Sequence, residues 1–119
     1  MQQDPTTKLS EELRLRPFSQ DWGIANADPG RIDEFLRFYE SCTRSPSEHE
    51  ALAELLLQSI NEALEANILS EIQRERVVTF LRTHSREFPR QLPYWSALVP
   101  SAADPWPVLE LLREAGVAA

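Results

Sequence analysis

The chain has one cysteine, Cys42, so no intrachain disulfide forms and nothing points to an oxidising compartment. Its three glycines, Gly23, Gly30 and Gly116, stand alone, which rules out a glycine-rich phosphate loop or a dinucleotide fingerprint. Only two histidines occur, His49 and His84, and a single lysine, Lys8, against eleven arginines. No apolar run approaches the roughly 18 residues a membrane-spanning helix needs. The polar start, Met1 to Lys8, lacks the basic and apolar regions of a secretory signal, so a cytoplasmic location is the expectation. Strand-like alternation is missing throughout.

What is present is acid. Twelve basic and nineteen acidic residues give a net charge of −7 over 119 residues. That balance speaks against nucleic acid, whose phosphates need a Lys/Arg surface, and against an anionic membrane. It permits a basic protein partner, because complementary charge speeds encounter. With 42% hydrophobic and 26% charged residues, the composition is that of a folded domain.

Helix punctuation is clear in four places. Asp28-Pro29 combines an N-cap carboxylate with proline at the first helical position, and Ile32, Phe35, Leu36 and Tyr39 then repeat on one helical face. Ser45-Pro46-Ser47-Glu48 is a capping box, followed by Leu52, Leu55, Leu56, Ser59, Ile60, Ala63 and Leu64, with Asn67 as the stop. Ser70 and Gln73 open a third helix, whose apolar side is Ile72, Val77, Phe80, Leu81, His84 and Phe88. Asp104-Pro105 opens the last, with Val108, Leu111, Leu112 and Ala115 inward and Gly116 as terminator. These signals predict helices over 29–43, 46–66, 71–87 and 105–115. The second and third, joined by a short link, should form an antiparallel hairpin.

The expected architecture is all-α: a small single-domain bundle of about four main helices over 18–119, with irregular aromatic arms, behind a polar tail at 1–17 holding a short turn near Leu9 to Leu15. Phe18, Trp22 and Ile24 should pack as an irregular arm. Leu55, Leu56, Ile60, Phe80, Leu81 and Phe35 should share the core.

Catalytic and metal motifs fail on spacing. The run Glu48-His49-Glu50-Ala51-Leu52-Ala53 begins like a zinc-protease helix but has alanine where the second histidine belongs. Leu81 and Pro46 occupy the places three before the histidines, so no Glu-x-x-His pair exists for a di-metal bundle. Cys42 falls at a helix C-terminus, which disfavours a thiolate. His84 reads as a hydrogen-bonded histidine at the rim of the core. No cofactor, metal or catalytic residue is therefore expected.

Charge and aromatic residues are uneven along the chain. Residues 45–67 hold five glutamates and no lysine or arginine, a net −5, whereas 68–90 hold five arginines and three glutamates, a net +2. Either the two helices attract each other, or the acidic back of the second docks a basic partner. Residues 89–107 hold Tyr94, Trp95 and Trp106, residue types that seal bundle ends and also anchor interfaces. The expectation is a non-enzymatic binding or regulatory protein, of the bacterial immunity or adaptor kind, that engages a protein partner through Glu48, Glu54, Glu62, Glu65, Tyr94, Trp95 and Trp106. One alternative is an enzyme or small-molecule binder with a scattered pocket around Tyr39, His84, Arg82 and Arg86. Another is a structural homodimer joined through the last helix by Leu109, Leu111 and Leu112.

Overall fold

The computed structural model describes residues 5–16, 22–41, 45–87, 91, 94–95 and 107–116. Among the described residues all regular structure is helical, so the fold is all-α. The chain divides into two compact units, Met1–Ser59 and Ile60–Ala119.

The first unit begins with α1, Pro5–Leu13. Residues up to Lys8 were expected in a polar tail, yet the helix takes in Pro5 to Lys8. Proline suits a first helical position, and Leu9 and Leu13, four apart, are buried on one face, which stabilises the turn preceding them. The helix stops at Arg14, whose φ of 58° is left-handed, with the Leu15 N–H donating to the Ser10 carbonyl at 2.8 Å.

Next comes α2, Trp22–Asn26, where an irregular arm was expected. A polar network explains it. The Trp22 indole donates to Ser10 Oγ at 2.7 Å, and Ser10 Oγ donates to the Arg16 carbonyl. The Asn26 amide accepts from the Arg16 N–H and donates back to its carbonyl, both at 2.9 Å. These pairings satisfy the loop backbone that a non-helical arm would leave open. Trp22 is buried as expected, but Ile24 is 51% exposed and does not pack inward. Phe18 lies outside the described residues. Gly23 allows α2 to approach the helix it crosses: a Cβ there would lie 3.0 Å from Leu55 N and 3.1 Å from Glu54 Cβ.

Asp28 caps a 3-10 turn, Pro29–Arg31, by accepting from the Gly30 N–H at 2.9 Å. This turn runs into α3, Ile32–Ser41, which buries the expected Ile32, Phe35, Leu36 and Tyr39. Residues 42–44, with Cys42 and the expected helix end at Thr43, lie outside the described residues.

Helix α4, Pro46–Glu65, contributes residues to both units. The Ser45–Glu48 capping box is formed in both directions. Leu52, Ala53, Leu55, Leu56, Leu57 and Ser59 are buried in the first unit, and Ile60, Asn61 and Ala63 in the second. The buried surface is wider than the expected stripe, while Leu64, placed on that stripe, is only half-buried. Asn67 terminates the helix with φ 57°, and the Ile68 N–H reaches back to the Ala63 carbonyl at 3.0 Å.

In the second unit the Ser70–Gln73 capping box opens α5, Glu71–Thr83, which ends earlier than expected and passes at His84 into a 3-10 turn, Ser85–Glu87. Val77, Val78, Phe80 and Leu81 are buried. Ile72, expected on that apolar side, is 65% exposed. It lies in the first turn, ahead of the stretch where burial begins. Helix α6, Pro107–Glu114, buries Val108, Leu109, Leu111 and Leu112. Its expected Asp104-Pro105 start lies outside the described residues. The Val108 N–H is accepted by the buried Asn61 side chain at 3.1 Å. Gly116, φ 80°, follows the end of α6 in the left-handed region.

Candidate functional site

Helix α4 carries all four of the glutamates expected to meet a partner, and the structure separates their circumstances. Glu48 is half-buried and committed to the helix start, its carboxylate accepting from the Ser45 N–H at 3.3 Å. Glu54 is exposed on the first unit's part of the helix, near Gly23 of α2. Glu50, one turn earlier, is exposed as well. On the second unit's part, Glu62 is half-buried and Glu65 exposed, with Asn61 Nδ2 donating to Glu65 Oε1 at 2.6 Å.

The aromatic residues divide in the same way. Trp95 is buried, with Tyr94 standing edge-on at 5.7 Å between ring centres and partly exposed. Trp106 lies outside the described residues.

Cation placement corrects part of the internal pairing expected between the two central helices. Arg74 forms a two-pronged bridge to Glu114 of α6, with a shortest distance of 2.6 Å. The Arg74 guanidinium holds the Glu114 carboxyl below the usual carboxylate range, chiefly through this hydrogen bond. In the first unit, Arg31 grips both Glu34 oxygens, donates to the Leu13 carbonyl at 2.8 Å and lies over the Phe35 ring. Its hydrogen bond lowers the Glu34 pKa. These two arginines fasten neighbouring helical segments.

The residues considered for a scattered pocket fall in different units, Tyr39 in the first and His84, Arg82 and Arg86 in the second. Tyr39 is buried in the first unit and stacks on His49, with ring centres 4.8 Å apart and planes 21° apart. His84 belongs to the second unit, where Nδ1 is 2.6 Å from Glu87 Oε2 and the ring tilts against Phe80. This is the hydrogen-bonded rim histidine the sequence suggested. Arg82 and Arg86 are exposed. Among the described residues no group of three or more His, Cys, Asp or Glu is placed to hold a metal ion. None of the described helices is long and apolar enough to cross a membrane. Leu109, Leu111 and Leu112 are all buried within one chain, so they do not present the surface required for dimerisation through this helix.

The sequence reading missed Ile24, Ile68 and Ile72 as exposed apolar side chains. Position relative to a cap was the available signal: Ile68 follows the Asn67 stop and Ile72 sits in a first turn. No family model, curated protein or solved structure matches this chain.

Proposed function

We propose that this protein is a binding module for a basic protein partner. One observation supports the reading: α4, otherwise largely buried, carries five glutamates and no lysine or arginine, and turns Glu50, Glu54 and Glu65 outward. A one-signed outer surface on a rigid helix raises encounter rates with an oppositely charged protein without requiring a deep cleft.

The test is to capture basic proteins from the source's lysate, purify any that bind, and follow association by stopped flow. The double reversals E50K/E54K and E62K/E65K address the two stretches of α4 separately. Glu48 is left intact because it caps the helix. The E50K/E54K reversals, at exposed positions, should each alter folding stability by less than about 0.5 kcal/mol, whereas E62K/E65K also removes the acceptor of the Asn61 amide and is read only on protein shown to be folded. At low salt, association should slow by about tenfold and lose part of its salt dependence. Unchanged rates for both double variants would reject the proposal.

A further inference from the structure

The second unit leaves two large aliphatic side chains in water at one connection. Ile68 is 56% exposed and Ile72 is 65% exposed, on either side of the Ser70 cap that joins α4 to α5. Both side chains are more than half exposed. The residue after a left-handed helix stop commonly packs on the residue whose carbonyl it bonds. Here that residue is Ala63, small and fully buried, so Ile68 gains little from it. Ile72 occupies a first helical turn, where side chains that accept backbone N–H groups or complement the dipole are preferred. Asparagine and serine at positions 67 and 70 already perform the turn and cap chemistry.

The surrounding charge selects an occupant. Between Glu62 and Glu75 the chain has four carboxylates, Glu62, Glu65, Glu71 and Glu75, and one cation, Arg74. Arg74 is already bonded to Glu114, and Arg76 follows at the edge. Glu65, Glu71 and Glu75 are exposed. A second copy of this chain, docked by two-fold symmetry, would set this acidic rim against itself. A segment carrying aliphatic side chains flanked by lysine or arginine meets both features.

We propose that the α4–α5 connection is a docking surface for a basic amphipathic segment of a partner protein, with Ile68 and Ile72 as its apolar contacts. This rests on the reading of the chain as a binding module for a basic partner, and it locates one contact surface.

The probe is a fluorescently labelled synthetic helical peptide of leucine and lysine, titrated against the full chain by anisotropy. Two control peptides replace every lysine by glutamate or every leucine by serine. The leucine–lysine peptide should bind more tightly than either control. I68S/I72S should weaken it by at least about tenfold, the order expected when two aliphatic side chains lose their buried contact. Thermal melts of I68S/I72S should match the unaltered chain. If that variant misfolds, amide chemical shifts of the unaltered chain serve instead: peptide-induced changes confined to residues 64–76 support the proposal, and changes elsewhere overturn it. Undiminished binding by folded I68S/I72S overturns the docking surface. If E50K/E54K then weakens binding, the broader acidic-partner reading survives. Equal binding of the glutamate peptide overturns the basic occupant. Absence of binding up to about 1 mM peptide overturns the proposal, as does self-association of the chain that I68S/I72S abolishes.

Discussion

Single side chains perform several tasks in this protein, and Asn61 shows the consequence most directly. It is buried, donates to Glu65 and accepts the Val108 N–H at the start of α6. Early helical N–H groups have no partner within their own helix, so losing this acceptor strands a buried donor. Asn61→Ala should cost about 1–3 kcal/mol in denaturant unfolding and speed exchange of the Val108 amide. Gly23→Ala sets two effects against each other. Alanine gains up to about 1 kcal/mol of helix propensity. Its Cβ would meet the Leu55 backbone nitrogen at 3.0 Å, and backbone yields poorly. Overpacking of about 1–3 kcal/mol should win, giving a lower melting temperature. At the arginine clamps the expected effect depends on pH. Arg74 depresses the folded-state pKa of Glu114, as Arg31 does that of Glu34. Each contribution is therefore present above the ordinary glutamate value of about 4.3 and fades as pH falls through the lower folded value. Arg74→Gln should raise the Glu114 pKa towards ordinary values in a carboxyl-carbon NMR titration; an unmoved pKa would mean the bridge is not formed in solution.

At the scale of elements, capping chemistry separated what was legible from what was not. Both capping boxes, the Asp28 cap and the left-handed stop at Asn67 can be read from the residues, because each depends on neighbours within about four positions. Ser70→Ala should accordingly destabilise the chain by about 1 kcal/mol in thermal or denaturant unfolding. Helices α1 and α2 were harder to see. Leu9 and Leu13 mark only one turn of α1 in sequence, and the network of Ser10, Arg16, Trp22 and Asn26 that holds α2 interacts across as many as twelve positions and leaves no helical period. Ile72 misled for the opposite reason: it fits the period, but the packing surface begins further along α5. The acidic candidates were legible as charge, while the division between the capping Glu48 and the exposed Glu54 required the fold. Tyr94 and Trp95 are adjacent in sequence yet differ in burial, a distinction that composition does not carry.

For the whole molecule, the feature with the widest reach is the course of α4. The division between the two compact units falls between Ser59 and Ile60, within this uninterrupted helix. The usual hinge of a two-unit protein is a loop, where a protease finds an unfolded stretch to grip. Here the residues flanking the division are fully buried and helical. Brief digestion with a glutamate-specific protease should therefore spare the bonds after Glu54 and Glu62 until α4 itself has opened. Early fragments ending at either residue would show that the helix breaks there. For anyone dissecting the chain, a cut at residue 59 would leave each piece with only part of a helix; the smallest sensible piece on either side retains all of Pro46–Glu65, so the two pieces must be designed to overlap.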